Sequence, residues 1–197
     1  MEKEYSKEIL QIRNKILDEK DDFRMDFVNK NNLIYLPIPY DGPVEDGDFD
    51  ILNLEKNSER FGIKQFIVMC KDFDVDSEWT KEFEKKNGNH GLYAYRVESN
   101  KLDTEFWPIY SEHYTHVLFF DPDFKFIALT SCDDYRVYAS SREILECVTG
   151  KKIEETMKDF IEFFTPNHPL NVERFKKIME SNLQKHYESL ANYKERN

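Results

Sequence analysis

Cysteine is scarce in this chain: Cys70, Cys132 and Cys147 are the only three in 197 residues, and none stands at C-x-x-C spacing. An odd, scattered set excludes a disulfide framework and a zinc ribbon, and it predicts reduced thiols in a cytoplasmic protein. Glycine and proline are also few, at six and seven. Long flexible linkers are therefore not expected, and the chain reads as a single domain, 1–197. No stretch reaches eighteen consecutive apolar residues, which excludes a membrane-spanning helix. The first twenty residues are dense in charge, which speaks against a secretory signal. There is no Gly-rich phosphate loop, no G-x-S-x-G elbow and no internal repeat.

What is present is a core and an uneven charge. Hydrophobic residues make up 40% and aromatics 15%, enough to exclude disorder through low hydrophobicity. The formal net charge is −11. Residues 1–30 carry seven basic and eight acidic side chains, and residues 151–197 carry nine and eight. The stretch 31–150 carries twelve against twenty-three, so the whole excess sits there. Such a field repels nucleic-acid phosphates and attracts basic partners.

The hydrophobic pattern gives an order of elements. Tyr5, Ile9, Ile12, Ile16, Phe23 and Phe27 share one helical face, predicting one helix from about Glu4 to Asn29. Pro37 and Pro39 confine "LIYLPIPY" to a sheet edge or a polyproline-like segment, and "DGPVEDGD" reads as a loop. Strands are expected in 63–73, 91–98, 116–121, 125–131 and 135–140, with a short helix over 76–88. Ser140 with Glu143 forms a candidate capping box, and Gly150 ends that helix. Ile153, Met157, Phe160 and Phe164 mark the next helix, which Pro166 halts. Asn171 is the expected cap of the last one, whose apolar face is Phe175, Ile178, Leu183, Tyr187 and Leu190. The fold class is α+β: a mostly antiparallel central sheet of about five strands, with an N-terminal helix and C-terminal helices packed on it.

Three chemistries can be weighed. His113, His116, Asp121 and Asp123 are types that bind zinc or manganese. A strand beginning at His116 puts Asp121 roughly 17 Å away, so one site cannot gather all four. Asp123–Phe124–Lys125 matches half of a restriction-type nuclease core, but Asp121 shares its turn and cannot supply the distant carboxylate. Cys132 lies beside Asp133 and Asp134, which disfavour a reactive thiolate. The expectation is no enzyme, no metal and no cofactor, with a metal-dependent hydrolase or nuclease as the alternative.

Binding fits better. Acidic clusters occupy predicted loops at Asp41, Glu45, Asp46, Asp48 and Asp50, at Asp72 and Asp74 with Asp76 and Glu78, and at Asp121 and Asp123 with Asp133 and Asp134, the last pair beside Tyr135. Aromatics interleave with them. Charge for rapid encounter with aromatic anchors is what a binder of a basic protein presents. The block "THVLFFDPDFKFIALTSCDDYRVYASSREIL" (115–145) resembles the sheet segment of small acidic immunity proteins of bacterial toxin systems, including contact-dependent growth inhibition. That resemblance implies a cytoplasmic protein that binds a cognate toxin domain, often a nuclease, and blocks its active site or substrate path. The expected function is non-enzymatic inhibition of a basic protein, with no direct nucleic-acid or membrane contact. A phage-type DNA mimic or anti-defence protein would use the same electrostatics.

Overall fold

The computed structural model describes residues 7–20, 22–39, 49–71, 92–105, 117–130, 135–166 and 169–194. Its centre is a six-stranded sheet, one strand more than expected. The strands are β1 (Ile34–Pro39), β2 (Gln65–Lys71), β3 (Leu92–Glu98), β4 (Val117–Phe120), β5 (Phe126–Thr130) and β6 (Tyr135–Ser140). Their order is β1-β6-β5-β4-β2-β3, and every pair is antiparallel. The proline-bearing segment is the extra member. It pairs along its full length with β6, from Ile34 opposite Ser140 to Pro39 opposite Tyr135.

Helices cover both faces of the sheet. On one face lie α3 (Phe49–Asn57) and α4 (Arg142–Thr149). Their Ile51, Leu54, Ile144, Leu145 and Val148 pack with Phe66, Phe119, Phe126 and Tyr138. The other face carries α1 (Lys7–Ile16), α2 (Met25–Lys30), α5 (Ile153–Phe164) and α6 (Pro169–Lys194). There Ile16, Phe27, Phe160, Phe164, Phe175 and Met179 meet Leu118, Phe120, Ile127 and Val137. A sheet covered on both sides has no polar face, so its central strands lose the usual alternation. Accordingly "VLFF" and "FIALT" are buried at every position.

The single N-terminal helix of the sequence reading is two. Asp18 breaks it: one carboxylate oxygen accepts the amides of Lys20 (2.8 Å) and Asp22 (3.1 Å). Leu17 then pairs with Phe23 in an antiparallel bridge. An Asp that bonds to its own backbone offers the chain an alternative to the helix. The reversal still buries Phe23 and Phe27, which is why their spacing looked continuous. Helix α3 has no counterpart in the sequence reading, because two core residues, Ile51 and Leu54, are too few to show a period.

Two caps shift. Ser141, not Ser140, caps α4 by accepting the Ile144 amide, while Ser140 ends β6 and donates its hydroxyl to the Lys125 carbonyl. Helix α6 starts at Pro169, so Asn171 lies inside it. Gly150 does terminate α4, in the left-handed conformation at φ 67°. The buried stripe of α6 is Val172, Phe175, Met179, Asn182 and His186, whereas Tyr187 is 46% exposed. Two polar residues hold core positions there, and apolar counting passes over them.

The edge strand β1 is closed by Asn182. Its carboxamide oxygen accepts the Tyr35 amide at 2.7 Å, and its nitrogen donates to the Leu33 carbonyl at 3.1 Å. Alternate residues of a strand point their N–H groups to the same side, so Pro37 and Pro39 fall on this outer edge, where no donor is needed. The Asn182 bond and the two prolines thus remove the N–H donors that this edge would offer to another chain.

Candidate interaction surface

The register places the strand ends that border the acidic segments together. Pro39 lies opposite Tyr135, Arg136 opposite Thr130, Thr130 opposite Val117, and Lys71 opposite Leu92. These six ends form one end of the sheet, across β1-β6-β5-β4-β2-β3. Five inter-strand spacings make that rim about 24 Å wide. The chain segments 40–48, 72–91, 106–116 and 131–134 all border it. They hold thirteen Asp and Glu against three Lys, so ten of the eleven net negative charges belong to them. The rest of the chain is close to neutral.

These segments lie outside the described residues. With them go Asp41, Glu45, Asp46, Asp48, Asp72, Asp74, Asp133 and Asp134, the expected helix over 76–88, and Cys132, Trp107, His113 and His116. The two candidate contact residues that are described both turn inward. Tyr135 is half-buried, its ring centroid 5.1 Å from that of Phe175 and 5.7 Å from that of Phe164. It ties β6 to α5 and α6. Asp50, in the first turn of α3, accepts a hydrogen bond from the Tyr138 hydroxyl at 3.2 Å. Tyr138 is fully buried, and burial pushes the Asp50 carboxyl up to about 6. Burial likewise holds the Tyr138 hydroxyl far above its ordinary range.

Asp121 and Asp123 sit at the opposite end of the sheet, in the turn between β4 and β5. Asp121 is 2% exposed, and its two oxygens accept the amides of Phe126 (2.7 Å) and Asp123 (3.1 Å). Burial pushes its carboxyl up, and these two amides pull against that. Both oxygens are engaged in holding the turn. Lys125 donates to the Gly62 carbonyl at 3.1 Å and lies 3.6 Å from Asp123. It thereby links the turn to the end of the α3 segment. The nuclease-like tripeptide is accordingly a structural turn. Among the described residues no group of three or more His, Cys, Asp or Glu is placed to hold a metal ion, and no helix is long and apolar enough to cross a membrane.

A cavity of about 640 Å³ opens at the α1–α2 elbow, with Arg13, Lys20, Arg24 and Arg174 in its wall. Two of its cations are paired, Arg24 with Asp26 at 2.8 Å and Arg174 with Asp22 at 2.6 Å, and Asp18 and Glu19 line the same wall. The pairs tie the elbow to itself and to α6, so the cavity has little net attraction for an anion.

Comparison of the chain with family models, curated proteins and solved structures gives no match.

Proposed function

We propose that the chain is a non-enzymatic acidic inhibitor that binds and neutralises a basic protein in the cytoplasm, in the manner of immunity proteins that accompany bacterial toxins. The observation that supports this is charge segregation. Nearly all the net charge belongs to segments bordered by one end of the sheet, while the remainder is balanced by local ion pairs. A rim about 24 Å across matches the width of a standard protein interface, roughly 800 Å² per partner. Concentrated negative charge steers a basic partner into encounter, and its effect fades as salt shortens the Debye length to about 8 Å at physiological ionic strength. Occupying a toxin's cationic substrate path would then exclude its substrate by competition.

The test is affinity capture at low salt from the source organism, together with titration against the product of the neighbouring reading frame. Capture of a basic protein with a strongly salt-dependent on-rate supports the reading. Absence of any basic partner at low salt sinks it.

A further inference from the structure

The α1–α2 elbow holds two adjoining chambers. The outer, of about 640 Å³, and the inner, of about 380 Å³, share Asp18, Arg24 and Arg174. Both volumes lie in the range of about 300–1,000 Å³ usual for small-molecule sites. Phe23, Met25 and Ile178 line the apolar side of the inner chamber, and the Tyr35 ring stands edge-on to Phe23 with centroids 6.2 Å apart. The backbone fixes the walls before any ligand arrives. The Arg24 amide donates to the Ile16 carbonyl and the Asp18 amide to the Asp22 carbonyl, each at 2.9 Å, and the Arg24 guanidinium reaches the Asn14 carbonyl at 3.2 Å.

Tyr35 supplies the decisive observation. It is 5% exposed, and its hydroxyl, in the inner chamber, makes no hydrogen bond among the described residues. Tyrosine hydroxyls at such burial ordinarily have a partner. Two further groups are open. Asp18 accepts the Lys20 and Asp22 amides through Oδ1 alone, so Oδ2 is unengaged among the described residues. The Lys20 ammonium lines the outer chamber and makes no ion pair there.

Charge decides what fits. The inner chamber sets three carboxylates, Asp18, Asp22 and Asp26, against the guanidiniums of Arg24 and Arg174. The outer sets four cations, Arg13, Lys20, Arg24 and Arg174, against Asp18 and Glu19. Taken together the walls carry four charges of each sign, with the negative excess inside and the positive excess outside. A lone anion is repelled by the inner chamber and a lone cation by the outer one. An apolar molecule leaves the Tyr35 hydroxyl unpaired. We propose that the elbow binds a small zwitterion of the amino-acid class, its ammonium in the inner chamber among Asp18 Oδ2, Asp22 and the Tyr35 hydroxyl, its carboxylate in the outer chamber toward Lys20 and Arg13. This site and the acidic rim are independent, and neither needs the other.

The full-length protein is titrated calorimetrically with each standard L-amino acid in turn, while carbon-13 labelled at tyrosine Cζ reports on Tyr35. At least one amino acid should bind with a dissociation constant at or below about 1 mM and shift the Tyr35 signal. Its N-acetyl and methyl-ester forms, which lack one charge each, should bind at least about tenfold more weakly. Tyr35→Phe should weaken binding about tenfold and leave the urea midpoint unchanged, because an unpaired hydroxyl contributes no bond to the fold. Lys20→Ala should weaken the amino acid and spare its methyl ester. No shift of the Tyr35 signal with any amino acid at about 10 mM overturns the site. So does equal binding of the parent and both blocked forms. A lower urea midpoint in Tyr35→Phe with binding intact also overturns it, since the hydroxyl would then serve the fold and not a ligand.

Discussion

Replacing Asn182 by alanine should be among the most damaging single changes to this fold, although it removes no apolar packing. Asn182 is 2% exposed and makes three hydrogen bonds: from the Tyr35 amide, to the Leu33 carbonyl and to Asn29 Oδ1 at 3.0 Å. Alanine leaves the Tyr35 N–H and the Leu33 C=O buried without partners. Each such group costs about 1–3 kcal/mol, so the loss is about 2–6 kcal/mol, a large share of the roughly 5–15 kcal/mol of a typical domain. Urea unfolding followed by circular dichroism should show a lower midpoint at unchanged slope. Exchange of the Tyr35 amide should accelerate more than that of its β1 neighbours. Asn182→Asp separates the two bonds. It keeps the acceptor for Tyr35 but sets a carboxylate oxygen against the Leu33 carbonyl, so it should be destabilised at neutral pH and partly recover in acid, where a carboxylic O–H can donate. A loss of under about 0.5 kcal/mol in Asn182→Ala, within the range of ordinary surface changes, would refute the edge-closing role.

Other outcomes follow from the same geometry. Asp121→Ala should cost about 2–4 kcal/mol by orphaning the Phe126 and Asp123 amides, with Asp121→Asn recovering part, measured by the same unfolding assay. Reversing Asp133 and Asp134 to lysine should slow association with a basic partner and flatten its salt dependence with little change in melting temperature; unchanged kinetics would count against that segment. His186 is buried on α6, and burial lowers its pKa below 6.5. Its contribution is therefore intact at neutral pH and lost as pH falls below about 6.5, and His186→Gln should flatten that acid limb.

Much of the sheet was legible in the primary structure. Runs such as "VLFF" and "FIALT" announce strands, and Pro37 and Pro39 narrow their segment to an edge strand or a polyproline-like run, because each signal is local to the residues that carry it. The N-terminal break was not. Ile16 and Phe23 are seven apart, which fits two helical turns, but the Asp18 carboxylate reverses the chain between them. Helix α3 was missed for lack of a stripe. Asn182 stood at a core position of α6, but an amide there is read as a surface residue until its partners on β1 are seen. The candidate site divides in the same way. The acidic clusters can be counted, while the inward turn of Asp50 and Tyr135 depends on Tyr138, Phe160, Phe164 and Phe175, all distant in the chain.

By itself the sequence determined the class of fold and the location of negative charge along the chain, since propensity and formal charge are properties of residues taken in order. Only the tertiary structure decided which strand ends are neighbours. Antiparallel register brings the strand ends bordering 40–48, 72–91, 106–116 and 131–134 to one rim and sends Asp121 and Asp123 to the other. It also makes Asp50, expected as a loop charge, a half-buried partner of the Tyr138 hydroxyl, because desolvation depends on what covers a carboxylate and not on what precedes it in the chain.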